Sequence, residues 1–452
     1  MLDKMFVYNH LPVWGQNLAC YVEGKRIVKT RYGKAFWKYL SEYEERNTWP
    51  YEKLCEFRDR RLSRMIKHCY ATVPYYTKLF DEGGVSPERI KHLDDLKILP
   101  VLTKEIINKQ PDRFLSTAYP MEHMIKQHTS GTTGAGLVFK TTQKAICEQW
   151  AVWWRYRKKL GIDYGTLCAL FGGRSVVPVN RTTPPFYRIN KPCEQVYFSA
   201  YHMNNNNMPH YIDALEKYKP IWIHGYPSSI SFLAQYMIEN DVKLSYDVQW
   251  ITTGAENLHE NQKNAIQKAF GIYPYQHYGM TEGVANISEN IHHKYMIDED
   301  YAAVEFLRNE SIDTYRIVGT SLTNYAMPLL RYEVGDNAVL EVDDSRSVLT
   351  IDGRKEDYLV LSNGVTIGRL DHIFKDMVNV KEAQIFQDID GKITFYVVRG
   401  KNYKVEDENR LHKEIKERIG SEPYQISYKD KIARTKSGKI RFVISERTDK
   451  SE

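Results

Sequence analysis

The chain has 452 residues, more than one hydrophobic core usually holds, so its length predicts roughly two or three domains. Hydrophobic residues make up 42% and charged residues 27% of the sequence, which is the composition of an ordinary globular protein. The formal net charge of +6 is a mild excess. It gives no reason to expect a nucleic-acid partner and is compatible with anionic substrates.

Cysteine spacing and hydropathy indicate in which cellular compartment the protein is expected. The six cysteines form no C-x-x-C pair and none lies beyond Cys193, so we expect neither a disulfide framework nor a cysteine-based zinc site. The first residues lack the charged-then-apolar pattern of a secretion signal, and no run of about 18 apolar residues occurs. The sequence therefore predicts a cytoplasmic protein without a transmembrane segment.

The first part of the chain, from residue 1 to about residue 80, has aromatic residues at helical spacing among many basic residues. This pattern favours a helical region packed on a larger domain over a helix that lies on a membrane surface, although peripheral membrane association stays open. The basic residues between Arg58 and Lys67 are interpreted as a solvated helix face.

Strand-like and helical segments alternate in the middle of the chain. Val73-Pro74 breaks the first helical region, and between Thr129 and about Glu341 short apolar runs predict strands with helices between some of them. The predicted strands are 167–171, 221–223, 249–252 and 303–306, and the predicted helices are 213–218 and 229–239. Such alternation indicates an α/β fold in which helices cover β-sheets.

The pattern changes after Gly353, where short strands at 385–386 and 393–398 flank a charged helix over 405–419. This arrangement predicts a small α+β domain. The full prediction is a helical N-terminal region packed on the large domain (1–80), a large domain of several subdomains (81–352), a hinge (353–357) and a small, mobile C-terminal domain (358–452).

The most distinctive stretch is His128-Thr-Ser-Gly-Thr-Thr-Gly-Ala-Gly136, followed at once by strand-type residues. Its glycines let the backbone bend so that amides and hydroxyls point at one centre, which suits a phosphate. It is not a P-loop of the G-x-x-x-x-G-K-[ST] type, because no lysine follows its last glycine and no helix pattern begins there. Alone, it is equally compatible with an ordinary polar turn.

Two acidic residues further along stand in glycine-containing loops. Glu282, in Tyr278-Gly-Met-Thr-Glu-Gly283, follows a predicted strand, and a carboxylate there suits Mg²⁺, which takes one or two protein oxygens and leaves the rest to phosphate and water. Asp336 follows Gly335 at a predicted turn, where an acidic residue can accept both ribose hydroxyls of a nucleotide. Each has a plain alternative as a solvated or turn residue.

The last two motifs are basic and charged. Gly353-Arg-Lys-Glu-Asp357 sits where the composition shifts, so it is a candidate hinge. Arg434-Thr-Lys-Ser-Gly-Lys-Ile-Arg441 is a basic loop whose Ser-Gly turn presents Lys439. Basic termini are usually solvated, but one lysine delivered by a mobile domain can neutralise charge that develops on a phosphate during transfer.

Together the five motifs, in this order and spacing, resemble the adenylate-forming superfamily, which includes acyl-CoA synthetases. Within it the chain resembles the phenylacetate-CoA ligase branch, and most closely the CapK-like proteins of polysaccharide gene clusters. Three further stretches carry this resemblance, namely 94–104, 224–229 and 321–329. The resemblance extends over essentially the whole chain and implies a large adenylating domain followed by a small mobile one.

The resemblance implies a role for each matching position. The phosphate loop would hold the β- and γ-phosphates of ATP through Ser130, Gly131, Thr132, Thr133 and Gly134. The adenine would be framed by Gly254, Ala255, Glu256 and Tyr278, and Gly279 would also lie at the cofactor-binding site. Thr281 would contact the α-phosphate, Glu282 would bind Mg²⁺, and Asp336 would take the ribose hydroxyls with help from Arg354. The hinge would be Glu356, and Lys439 would approach the α-phosphate.

The implied reaction is attack of a carboxylate on the α-phosphate of ATP, which gives acyl-AMP and pyrophosphate. The small domain would then swing and admit an acceptor, typically CoA or else an amine on a sugar. The acid pocket is predicted between residues 222 and 280, with Trp222, His224 and Tyr226 as candidate contacts, although aromatic residues there are more often core packing. The acid itself and the oligomeric state are not predicted.

Two departures from the family pattern matter. Ala135-Gly136 stands where many relatives have Lys-Pro or Thr-Pro after the phosphate loop, so the phosphate grip is expected to be looser. The stretch after Glu282 lacks the cysteines of a zinc cluster that relatives often carry, so no structural zinc is expected. Two other functions stay open: adenylyl transfer to a hydroxyl, and a non-catalytic protein that binds nucleotide or a partner in a polysaccharide assembly.

Overall fold

A computed structural model describes most of the chain. The described residues are 4–128, 137–255, 258, 260–308, 315–341, 344–352, 359–367, 370–374, 377, 379–399, 403–430, 432 and 443–447. None of the helices in these ranges combines the length and the apolar character that crossing a bilayer requires.

Helices dominate the first eighty residues and recur between the strands that follow. They are α1 (Lys4–His10), α2 (Val13–Arg31), α3 (Lys34–Glu45), α4 (Tyr51–Thr72), α5 (Pro74–Glu82), α6 (Lys104–Lys109), α7 (Gln143–Lys159), α8 (Met208–Tyr218), α9 (Pro227–Glu239), α10 (Glu260–Phe270) and α11 (Val405–Ile419). Local chemistry sets several ends. Pro74 opens α5 at a position that needs no amide donor, and the Thr142 hydroxyl caps α7 by accepting from the Ala145 amide at 3.1 Å.

The strands form one large sheet and three smaller ones. They are β1 (Ile125–His128), β2 (Val138–Thr141), β3 (Cys168–Gly172), β4 (Tyr187–Asn190), β5 (Gln195–Ser199), β6 (Trp222–Gly225), β7 (Trp250–Gly254), β8 (Pro274–Gly279), β9 (Asn286–Glu289), β10 (Tyr295–Ile297), β11 (Ala302–Arg308), β12 (Tyr315–Ser321), β13 (Tyr332–Glu341), β14 (Asp344–Asp352), β15 (Leu359–Val360), β16 (Thr366–Ile367), β17 (Val380–Gln387), β18 (Ile393–Arg399), β19 (Tyr424–Tyr428) and β20 (Val443–Ser445).

The large sheet has the strand order β11-β12-β13-β14-β10-β9-β8-β7-β6-β3-β5-β4 among the described residues. Its middle, from β5 to β8, is parallel, and the strands on either side are antiparallel. The parallel strands are buried, as for Ala169 and Ile223, which are fully inaccessible, because helices cover a parallel sheet on both faces. Their carboxyl ends therefore lie along one edge of the sheet.

The N-terminal helices are joined to the sheet by buried ion pairs. Asp300, in the turn before β11, lies 2.6 Å from Arg46 on the 3₁₀ turn after α3 and 2.7 Å from Arg155 on α7. The neighbouring Glu299 lies 2.6 Å from Arg58 on α4. The interpretation of Arg58 as part of a solvated face is therefore wrong, because that side chain is buried on a carboxylate.

The other basic residues of α4 either contact the large domain or are exposed to solvent. The Arg61 guanidinium donates to Glu148 on α7 at 2.7 Å and is partly buried, whereas Arg60, Arg64 and Lys67 are exposed as expected. The helical period places Arg58 and Arg61 on the side of α4 that faces the large domain. The basic residues of α4 thus include side chains exposed to solvent and side chains packed against the large domain.

A separate sheet forms the C-terminal part, with the order β19-β18-β17-β20. Its core contains Ile385, Phe395, Leu411 and Ile415, all fully buried, because α11 lays its apolar stripe on the sheet. Tyr201, from the large sheet's side of the molecule, packs on the same core. The predicted fold class, an α/β large part followed by a small α+β domain, is confirmed.

Candidate active site

A cavity of about 550 Å³ opens between α2, α7 and the loop after β8. This volume is in the range of small-molecule sites. Its lining residues come from seven segments of the chain: Arg26, Ile27, Thr30, Arg31, Ile125, Gln127, His128, Thr141, Ala145, Ile146, Gln149, Trp150, Trp153, Arg174, Thr281, Glu282, Gly283, Tyr301, Thr323 and Asn324. Helix α2 therefore supplies one wall of the cavity, and α7, the β1-β2 pair and loops of the large sheet supply the others.

Thr281 and Glu282 border this cavity because the chain turns sharply after β8. The Gln149 side-chain amide on α7 donates to the Met280 carbonyl at 2.7 Å and fixes the start of the turn. Gly283 closes it with φ of +68°, and an added Cβ there would lie 2.9 Å from the Tyr301 hydroxyl, so the position requires glycine. The turn thus presents a hydroxyl and a carboxylate to the same space.

His128 is the last residue of β1, directly before the predicted phosphate loop, and it lines the cavity with Thr281 and Glu282. Residues 129–136 lie outside the described residues. The roles predicted for Ser130, Gly131, Thr132, Thr133 and Gly134 therefore stay predictions, as do those for Glu256, Arg354, Glu356 and Lys439, which also lie outside the described ranges.

The carboxyl ends of β7 and β8 lie side by side, with Gly254 opposite His277 in the parallel ladder. Ala255, directly after β7, has φ of +67°, which is uncommon for a residue with a side chain. Tyr278 and Gly279 end β8. Two of the segments predicted to frame an adenine are thus neighbours in space.

Tyr278 also contacts the residue predicted to bind ribose. Its phenol donates to the Asp336 carboxylate at 2.8 Å, so two positions 58 residues apart in sequence meet. A hydrogen bond from a neutral donor to a carboxylate stabilises the ionised form and fixes its orientation. The structure therefore brings Tyr278 and Asp336 together, as the predicted nucleotide site requires.

The local conformation at Asp336 differs from the prediction. The sequence predicts a turn, but the residue lies inside β13, between Glu333 opposite Val318 and Asn337 opposite Arg316. Three residues of β13, Val334 to Asp336, thus lie opposite the single residue Ile317 of β12, and Gly335 takes φ of +85°. The glycine therefore makes a β-bulge, which re-aims a side chain without ending the strand.

A hydrogen-bonded cluster lies beneath this site and was missed by sequence reasoning. The Asn286 side-chain oxygen accepts from Trp153 Nε1 at 2.9 Å and lies 3.0 Å from His277 Nε2. Burial, together with the charge of Arg157, lowers the pKa of His277 to about 4, so its ring is neutral near pH 7 and donates from Nε2. The sequence feature that could have indicated this cluster is the spacing of Gln149 and Trp153, which places them on one face of α7.

The three aromatic candidates for the acid pocket do not border this cavity. Trp222 is buried, and its indole donates to the Thr252 hydroxyl at 2.8 Å. His224 Nδ1 lies 2.9 Å from the same hydroxyl, and burial lowers its pKa to about 3. Tyr226 precedes α9, with its hydroxyl against Gly173. Their contact with a substrate stays a prediction.

Comparison with known proteins agrees with this architecture. Residues 359–446 match the family model described as the CapK C-terminal domain. Over 97% of its length the chain is similar to Protein CapK of Staphylococcus aureus, with 28% identity across 99% of that protein. It is 26% identical to phenylacetate-coenzyme A ligase of Thermus thermophilus, over 72% of this chain and 75% of that enzyme.

A solved structure extends the agreement to the fold. The crystal structure of 2-hydroxyisobutyryl-CoA ligase in complex with 2-HIB-AMP and CoA has a TM-score of 0.52 to this chain, at 17% identity, and covers 88% of it and 91% of that ligase. These matches make the chain similar to proteins of the adenylate-forming superfamily, and its fold agrees with that similarity. Within that superfamily the chain is similar to CapK and to the phenylacetate-CoA ligase branch.

Proposed function

We propose that the protein activates a carboxylic acid with ATP, forms an acyl-AMP intermediate with release of pyrophosphate, and transfers the acyl group to CoA or to an amine in polysaccharide biosynthesis. The observation that carries this proposal is the joint placement of Thr281 and Glu282 on one cavity, together with the Tyr278–Asp336 hydrogen bond between β8 and β13. Relatives named as phenylacetate-coenzyme A ligases support the same chemistry.

In the first step an oxygen of the acid attacks the α-phosphorus of ATP. The bond from that phosphorus to the oxygen that bridges to the β-phosphate breaks, and pyrophosphate leaves with the electron pair. The Thr281 hydroxyl would donate to an α-phosphate oxygen, and Lys439 would neutralise the charge that builds up there. Asp336, oriented by Tyr278, would hold the ribose so that the reacting atoms are in line.

The donor set at the cavity fits a magnesium ion. No group of three or more His, Cys, Asp or Glu side chains in the described part of the chain is placed to hold a metal, so Glu282 would be joined by phosphate and water oxygens, as Mg²⁺ prefers. When bound there, the ion would lower the negative charge of the phosphates.

In the second step the acyl carbon is attacked by the acceptor and AMP leaves. With CoA, the thiol loses its proton, the carbon–sulfur bond forms, and the bond from the acyl carbon to the phosphate oxygen breaks. Movement of the small domain about Glu356 would withdraw Lys439 and open a path for the acceptor.

The test is pyrophosphate release that depends on an added acid, measured with the full chain across a panel of carboxylic acids. Glu282→Gln should reduce this release at least a hundredfold, because the carboxylate that holds the cation is lost. Glu341→Gln, an exposed carboxylate at the end of β13, is the matched control and should leave the rate unchanged.

Three other results would contradict the proposal. Pyrophosphate release with a stable AMP adduct on a hydroxyl compound would indicate adenylyl transfer instead. ATP binding by calorimetry without release for any acid would indicate a non-catalytic nucleotide-binding protein. A Glu282→Gln variant that is as active as the Glu341→Gln control would remove Glu282 from the reaction.

A further inference from the structure

Three arginines around the cavity have no acidic partner. Arg31 at the end of α2 and Arg174 after β3 both line the cavity, and Arg157 lies behind it on α7. Across the described ranges, none of the three guanidinium groups makes a hydrogen bond or an ion pair, and the Arg157 Nε is buried without an acceptor. Arg157 is buried, Arg31 is half-buried and Arg174 is exposed. An arginine that is withdrawn from water usually pairs with a carboxylate, so the lack of a partner is unusual for Arg157 and Arg31.

Trp150 is the surface on which two of these arginines rest. The Arg31 guanidinium lies 4.1 Å from the centre of the Trp150 ring, and the Arg157 guanidinium lies 5.8 Å from it. Stacking of this kind holds a guanidinium plane flat and leaves its N–H edge available for a planar anion. The indole therefore positions Arg31 at the cavity without satisfying its donors.

The acidic residue on the same helix forms no ion pair with the cluster in the described part of the chain. Glu23, also on α2, is held by Arg26 through two hydrogen bonds of 2.6 and 2.8 Å on the exposed side of the helix. Burial, and next to it the charge of Arg174, lowers the pKa of Arg31, as expected for like charges near one another. The cavity wall formed by α2 thus carries an excess of positive charge.

We propose that Arg31 and Arg174 bind a second anionic group of the acid substrate, so that the protein selects acids with two negative groups, such as dicarboxylates. This inference rests on the proposed function. One carboxylate would react at Thr281, and the distal group would form charge-assisted hydrogen bonds with Arg31 and Arg174 at the other wall of the same cavity. The phosphates of ATP are the competing source of the same oxyanion chemistry.

The test compares acids of equal chain length: succinate with butyrate, and glutarate with valerate. We expect pyrophosphate release with the full chain to favour the dicarboxylates by about tenfold or more in kcat/KM. Arg31→Gln and Arg174→Gln should each remove most of this preference by raising KM for the dicarboxylates, with the affinity for a nonhydrolysable ATP analogue unchanged. Lys29→Gln, an exposed residue of the same helix, is the control and should keep the preference.

Two outcomes overturn the inference while leaving acid activation intact. One is equal or better use of the monocarboxylates by the unmodified protein. The other is loss of affinity for the ATP analogue in Arg31→Gln with no change in acid preference, which would assign the arginines to the nucleotide phosphates.

If no acid supports pyrophosphate release, the proposed function fails, and calorimetry with succinate and the unmodified protein decides the inference alone. Succinate binding that Arg31→Gln abolishes and Lys29→Gln does not would support the dianion site. Absence of succinate binding would overturn it.

Discussion

Replacing Asp300 by Asn should destabilise the protein strongly, because Asp300 is the shared partner of two buried arginines. Arg46 and Arg155 lie 2.6 and 2.7 Å from its carboxylate, and all three side chains are less than 7% exposed. Arg155 keeps Asp298 at 2.6 Å after the change, but within the described part of the chain the Arg46 side chain keeps only its stacking on Tyr43 and Phe57. Removing one partner of such a pair costs about 3–5 kcal/mol.

The pKa of Asp300 gives a second value for the contribution of this carboxylate to the free energy of unfolding. Burial raises this pKa, but Arg155 and Arg46 outweigh it and lower the pKa from 3.8 to about 2. At about 1.4 kcal/mol per pH unit, the difference corresponds to roughly 2–3 kcal/mol of stability from ionised Asp300. A lowered pKa means that this contribution is complete above pH 3.8 and is lost as the pH falls toward 2.

The assay is urea unfolding followed by tryptophan fluorescence at pH 7 and at steps down to pH 2. Asp300→Asn should unfold with a free energy about 3–5 kcal/mol lower at pH 7, and its difference from the unmodified protein should narrow below pH 3.8. Asp94→Asn is the control, because Asp94 is paired with Lys97 on the surface with 85% of its side chain exposed. It should change stability by less than about 1 kcal/mol.

A difference below about 1 kcal/mol between Asp300→Asn and the unmodified protein would refute the reasoning, since the arginines would then not depend on this carboxylate. So would a large difference that persists unchanged to pH 2. In that case the loss would come from altered packing, because the charge of Asp300 in the unmodified protein, with its pKa at about 2, contributes little to stability at that pH.

Two further predictions concern the nucleotide side of the site. Tyr278→Phe should raise KM for ATP about tenfold, because Asp336 loses the donor that orients it. The control Tyr70→Phe, which breaks a surface Tyr–Asp hydrogen bond of 3.1 Å, should leave KM unchanged. Equal KM values in the two variants would contradict the role of Tyr278. Gly283→Ala should lower acid-dependent pyrophosphate release by distorting the turn that carries Glu282. The control is Gly364→Ala, at a glycine with a similar φ of +79° and nothing within 4 Å of the added Cβ, and it should keep the rate. Equal loss in both variants would indicate general backbone strain instead.

Local signals predicted much of the fold. The charged helix predicted over 405–419 matches α11 in full, and the break at Val73-Pro74 separates α4 from α5. Both depend on residues close in sequence: acidic residues in the first turn and basic ones in the last for α11, and a proline that cannot continue a helix for α5. The four strands predicted at 167–171, 221–223, 249–252 and 303–306 likewise lie within a few residues of β3, β6, β7 and β11, whereas the other strands of the large sheet were given no bounds.

Non-local contacts explain what the sequence did not reveal. The bulge at Asp336 depends on how β13 pairs with β12, so its glycine alone indicated a turn. The wall formed by α2 depends on contacts such as Arg31 on Trp150, more than one hundred residues along the chain. Arg58 looked like a surface residue until its partner Glu299, 241 residues away, was placed.

The buried ion pairs and the candidate active site are parts of one connected structure, and α7 is the element they share. Its Arg155 binds Asp298 and Asp300, its Trp153 donates to Asn286, and its Gln149 holds the Met280 carbonyl beside Glu282. Asn286 in turn donates to Asp298 at 2.5 Å. These contacts fix α7 by charge near its end and by an amide hydrogen bond near its middle. The N-terminal helices, which pair with the same carboxylates, therefore help to hold the turn that carries Glu282 as well as to complete the cavity.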